Sequence, residues 1–133
     1  MGGSTGKNEL SLGSEGRYRL LLDHAGLGIG YFDLEGTILL VNRRGCELLQ
    51  ADASELIGRG AVEVFGPEMG EKVLERISVV AGGWGPRSFE DEVDLPNGRR
   101  CFESIYTAIP NEEGVPVGVQ VVSHDVTRLK RAE

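Results

Sequence analysis

The chain is short of positive charge. Lys and Arg total 14 against 21 Asp and Glu, a formal net charge of −7 over 133 residues. Phosphate backbones are bound through clustered cations, so this balance argues against a nucleic-acid partner, and the acidity is read as serving solubility. Cysteine is scarce too. The two present, Cys46 and Cys101, lie far apart with no metal-type spacing, which gives no support to a disulfide framework or a zinc site. Reduced, half-buried thiols are expected. No apolar run approaches the ~18–20 residues of a membrane span, and no signal-peptide pattern opens the chain. A cytoplasmic protein that does not insert into a membrane is therefore expected, with a length that suits one domain around one core.

Residues 1–13, opening Met1-Gly2-Gly3-Ser4-Thr5-Gly6-Lys7, read as a flexible leader or expression remnant. From there Tyr18, Leu21, Leu22 and Ala25 fall at i, i+3, i+4 and i+7, the signature of a short amphipathic helix with one dry side. Leu27 to Asp33 and Thr37 to Val41 read as strands joined at Leu34-Glu35-Gly36, with Gly36 taking a positive φ. Asn42 can cap the next helix. Asp52 and Glu55 have capping-box spacing around a second short one that Gly58 ends. The longest helix is expected from Pro67 to Gly82, with Met69, Val73, Ile77 and Val80 as its apolar stripe. A methionine in such a stripe reads as core. Phe89 to Leu95, Arg99 to Ile109 and a valine-rich run from Gly114 then read as three antiparallel strands, turned at Pro96-Asn97-Gly98 and Pro110 to Gly114.

In that last run Val115, Val117, Val119 and Val121 recur with period two. It converts at Asp125-Val126-Thr127 into a charged, helix-like end. Asp125 and Thr127 both offer side-chain oxygens to the free amides of a starting helix, Thr127 being the better placed N-cap. Either the strand is wired into a helix built to transmit, or it ends in a frayed charged tail. The order of elements implies an α+β fold: a five-stranded antiparallel sheet with short helices packed on one face and the N-terminal amphipathic helix on the other.

Four segments then carry a specific likeness: Tyr31-Phe32-Asp33-Leu34-Glu35-Gly36-Thr37-Ile38-Leu39-Leu40-Val41-Asn42, Ala53-Ser54-Glu55-Leu56-Ile57-Gly58-Arg59, Asp94-Leu95-Pro96-Asn97-Gly98-Arg99-Arg100 and Asp125-Val126-Thr127. In this order and spacing they resemble the successive signatures of a PAS domain, over about residues 17 to 131 of the sequence. The resemblance implies a PAS domain spanning 14–127, with 128–133 beginning a helical linker. It also implies a sensory or interaction module, usually fused to a histidine kinase, a diguanylate cyclase or another output domain, with a cavity between sheet and helices. A histidine kinase is the expected output, and a bacterial two-component system the expected setting.

Within that family the residues weigh against two cofactors. Aligned on Gly58-Arg59, the blue-light subgroup has Asn and a reactive Cys where this chain has Gly60 and Ala61. Its phosphate-binding Arg is replaced by Val62, so a covalent flavin (FMN) adduct is disfavoured. Haem sensors generally carry an axial His on the long helix, and Pro67 to Gly82 has none. The histidines, His24 and His124, read as surface or hydrogen-bonded groups, although His124 beside Asp125 could respond to pH. Cys46 reads as core. No nucleophile–base pair, phosphate loop or metal cluster marks an enzyme. The acidic run Glu90-Asp91-Glu92-Asp94 reads as a solvated strand edge.

Strand alternation in the family register points Phe102, Ser104 and Tyr106 toward the helices, with Gln120 and Val122 from the last strand and Gly28, Gly30 and Phe32 from the first. These could line a small ligand pocket or, with the rings filling the space, simply form a core. The opposite face would carry Ile105, Ile109, Val119 and Val121, too apolar to face water. Tyr18, Leu21 and Leu22 are its expected cover, from the same chain or a second subunit, and a homodimer through this face is expected. Two function classes follow: a sensor holding a small molecule, and a ligand-free dimerisation or interaction module. A flavin or haem light or redox sensor is a more distant third.

Overall fold

The computed structural model describes residues 25–132. The expected N-terminal helix, its residues Tyr18, Leu21 and Leu22, His24 and the leader lie outside that range. Strand β1 (Leu27–Asp33) turns through Gly36, φ +88°, into β2 (Ile38–Val41). Asp33 sets the turn, since its carboxylate accepts from the Glu35 and Thr37 amides at 2.9 Å each. Helix α1 (Arg43–Leu49) follows, capped by Asn42, whose side chain accepts from the Gly45 amide at 2.7 Å. In the one-turn α2 (Ala53–Leu56) Glu55 reaches back to the Asp52 amide at 2.8 Å.

The long helix α3 (Ala61–Val79) departs from expectation at its start. Gly66, φ +88°, breaks it, so that a turn over residues 61–65 precedes the run that Pro67 opens. A π-helical turn, Val80–Trp84, ends it at Gly83, φ +102°. Three strands complete the sheet: β3 (Arg87–Leu95), β4 (Gly98–Pro110) and β5 (Pro116–Asp125). The terminal helix α4 (Thr127–Ala132) leaves directly from β5. Val115 lies before β5 and is exposed, so the expected valine strand starts two residues late.

The five antiparallel strands stand in the order β2-β1-β5-β4-β3. With β5 central, the last strand touches both halves of the sheet before it becomes α4. Core side chains fill the space between the sheet's inner face and α1–α3: Phe32, Ile38, Leu56, Val73, Ile77, Val80, Tyr106, Val119 and Val121 are all buried. Among the described residues no helix is long and apolar enough to cross a membrane.

Candidate functional site: a cavity beside a buried ion pair and a joint at the end of the sheet

The inner face of the sheet is readable row by row. Pairing places Gly28 opposite Ser123, Ser123 opposite Ser104 and Ser104 opposite Phe89, so three small residues run side by side across β1, β5 and β4. The next row is Gly30, Val121 and Tyr106. Small side chains leave depth above the sheet. Here α1 presses close: a Cβ on Gly28 would lie 2.9 Å from Leu48 Cδ1 and 3.0 Å from Gly45 Cα. Over Gly30 it does not, since a Cβ there would meet nothing nearer than 3.9 Å. What remains is a cavity of about 100 Å³, lined mostly by apolar groups from β1, β4, β5 and the helices, with Phe65 and Met69 reaching in from α3.

Gly28, Gly30, Phe32, Phe102, Ser104 and Tyr106 all border this cavity. Gln120 and Val122 do not, which corrects the expected register of the last strand by one residue: Val119, Val121 and Ser123 take the inner face. The same correction removes Val119, fully buried, and Val121, 8% exposed, from the expected dimer face. Ile105 does lie on the outer side, 47% exposed and paired with Val122. Leu40, 64% exposed, shares that side opposite Tyr31.

Two hydroxyls form the polar floor. Ser104 Oγ and Ser123 Oγ lie 2.8 Å apart. The polar wall is Asp91, held from behind by Arg76 in an ion pair that sequence inspection missed. Both guanidinium NH groups of Arg76 bond the two Asp91 oxygens at 2.7 Å, with the side chains only 11% and 9% exposed. The guanidinium also lies 4.1 Å from the centroid of the Phe89 ring and donates to the Tyr106 hydroxyl at 3.4 Å. Burial opposes its charge, but the bonds to Asp91 and Tyr106 outweigh that and hold Arg76 firmly protonated. Burial likewise pushes the Tyr106 phenol up, with Arg76 partly offsetting it. The acidic run is thus a solvated edge only at Glu90, Glu92 and Asp94, while alternation turns Asp91 inward. A signal for Arg76 existed. It stands three residues after Val73 and one before Ile77, within the buried stripe of α3.

A second cluster lies where β5 becomes α4. The carboxylate of Asp125 accepts from the Thr127 amide at 2.9 Å and from Arg100 Nη2 at 2.8 Å. Thr127 is turned elsewhere: its Oγ1, in a residue 3% exposed, accepts from the Cys101 amide of β4 at 2.8 Å. So Asp125, and not Thr127, serves the free amide at the helix start, and Thr127 pins the helix to the neighbouring strand. Burial would raise the Asp125 carboxyl, yet the bonds from Thr127 and Arg100 prevail and hold it below the usual carboxylate range. A depressed folded-state pKa means that this group stabilises fully above about pH 5 and ceases to do so as pH falls through the lowered value. Asp125→Asn should therefore cost roughly 1–2 kcal/mol at pH 7, with variant and parent converging in acid. Urea midpoints measured across pH test this, and a gap that stays constant down to low pH would assign the effect to shape instead of charge.

The described lining of the cavity supplies neither the thiol of a covalent flavin adduct nor a histidine for haem. Neither Cys46 nor Cys101 borders it, and burial pushes both thiols up, away from the reactive thiolate. Ala61 is a core residue, 1% exposed. Among the described residues no histidine borders the cavity, and His124 is exposed on the opposite, outer side of β5.

Residues 22–131 match the family model described as the PAS fold, and the chain belongs to that family. Among curated proteins no relative matches by sequence. Solved structures do match. The chain is similar to the PAS domain of an HTR-like protein from Haloarcula marismortui, at 27% identity and TM-score 0.64 over 84% of this chain and 91% of that one. It is similar to the PAS domain of Bordetella pertussis BvgS, at 24% and 0.69 over 87% and 90%. A domain of a sensory box sensor histidine kinase/response regulator from Geobacter sulfurreducens gives 24% and 0.62 over 90% and 100%.

Proposed function

We propose that this PAS domain is a sensory signal-transduction module without catalytic activity of its own. A small intracellular molecule enters the cavity, β4 and β5 shift against the helices, and the shift passes through Asp125 and Thr127 into α4. From α4 it reaches a covalently linked output domain, with a histidine kinase as the first candidate. The joint at Asp125 carries this reading. Arg100 and Cys101 of β4 bond Asp125 and Thr127 of the β5–α4 turn, contacts that tie the exit helix to the sheet and support a relay through them. Similar solved structures include domains of sensory box histidine kinases, which supports that choice of output.

Asp125→Ala in a protein carrying the output domain should leave the fold intact and the output insensitive to the signal. Unchanged regulation would remove the relay role. A second reading, the ligand-free dimerisation module, is favoured by the exposure of Ile105 and Leu40 on the outer face. Under it, light scattering should give a dimer that Ile105→Glu converts to monomer.

A further inference from the structure

The cavity reading can be taken to a class of ligand, an inference that rests on the sensory reading above. We infer that the cavity takes an uncharged molecule of one small ring, or a chain of similar bulk, carrying a single hydroxyl or carbonyl that docks on Ser104 and Ser123. Size sets the first limit: the cavity, at about 100 Å³, is smaller than the apolar cavity of ~150 Å³ that accommodates benzene, so one small ring is the upper bound on what it takes. Charge sets the second. Among the described residues Asp91 is the charged side chain that borders the cavity, and both its oxygens bond Arg76 at 2.7 Å. The wall is electrically spent. A carboxylate or ammonium entering would leave water with no counter-charge to receive it, whereas a neutral ring would lose little.

The serine pair sets the third limit. Each hydroxyl carries one proton and two acceptor sites. One proton is consumed in the 2.8 Å bond between Ser104 and Ser123, so the other hydroxyl keeps a proton to give and the pair keeps acceptor sites. Phe102 and Tyr106 flank Ser104 on the same face, and Gly30 leaves open volume beside Val121. A polar atom on the floor with apolar walls above it orients one polar end of a ring and rewards nothing else on it.

Amide-resolved NMR titration of the full 133-residue chain with phenol, toluene, benzoate and benzylammonium tests this. Phenol should shift the Gly28, Gly30 and Ser104 amides saturably, about three- to tenfold more tightly than toluene, the worth of one net hydrogen bond. The two ions should bind more weakly than either. Ser104→Ala/Ser123→Ala should bring phenol down to toluene. Gly30→Val should expel all four, and Gly30→Ala, smaller by two methyls, should weaken them if the larger variant does not fold. Tighter binding of benzoate or benzylammonium than of phenol would overturn the neutral class while leaving a ligand pocket in place. Failure of every probe to bind would overturn both the class and the small-molecule sensor.

Discussion

Arg76→Ala should lower the unfolding free energy by roughly 3–5 kcal/mol, the range for removing one partner of a buried pair. Against a typical domain total of ~5–15 kcal/mol this would be among the most damaging single changes in the chain. The cost arises from what is left behind. Asp91, 9% exposed, would stay in the cavity wall with neither of its two 2.7 Å bonds, and the Phe89 ring would lose the guanidinium 4.1 Å from its centre. Asp91→Ala should be comparably harmful by stranding the cation.

Replacing both, as Arg76→Met/Asp91→Leu, should recover most of the loss, because no buried charge then lacks a partner. Urea unfolding of the two single variants and the double variant measures the coupling directly. Single variants within about 1 kcal/mol of the parent would mean that water already reaches the pair. A hydrated pair would also undo the case for an uncharged ligand, since the wall would no longer be dry.

The sheet was legible because its signals were local. Gly36 and Gly98 fixed hairpin turns, Asn42 and Glu55 capped helices, and alternation on β4 put Phe102, Ser104 and Tyr106 on one face. On β5 the period-two valines carried the right signal, since Val119 and Val121 are buried on the inner face, while the family register placed Gln120 and Val122 there instead. A one-residue slip of that kind exchanges every side chain between the two faces, and the apolar Val122 on the outer face left the slip unmarked. Pairing with β4 settles it, through Ser104 opposite Ser123.

Long-range polar contacts were equally hidden. Arg76 and Asp91 are 15 residues apart, and an arginine in a helical stripe reads as a break in the pattern until the aspartate that faces it is known. Thr127 was expected to cap α4. Its hydroxyl instead finds the Cys101 amide, 26 residues away, a choice that depends on where β4 lies.

Gly70→Ala should destabilise the domain by roughly 2–3 kcal/mol, at the upper end of ordinary overpacking costs. The sign is opposite to helix propensity, which favours alanine over an interior glycine by ~0.5–1 kcal/mol. The cause is the break at Gly66. It folds the turn of residues 61–65 back on the helix that Pro67 opens, so a Cβ on Gly70 would fall onto the Val62 backbone, 2.7 Å from its nitrogen, and 2.9 Å from the Ala61 carbonyl oxygen. Backbone atoms cannot swing aside as a side-chain end can. Relief requires the turn to lift, and the turn carries Phe65, which borders the cavity, and Ala61, 1% exposed in the core. Gly70→Ala should therefore shift the Phe65 amide and open the cavity as well as lower the urea midpoint. A variant more stable than the parent would show that the turn is loosely held, and the cavity wall at Phe65 would then yield to ligands larger than a single ring.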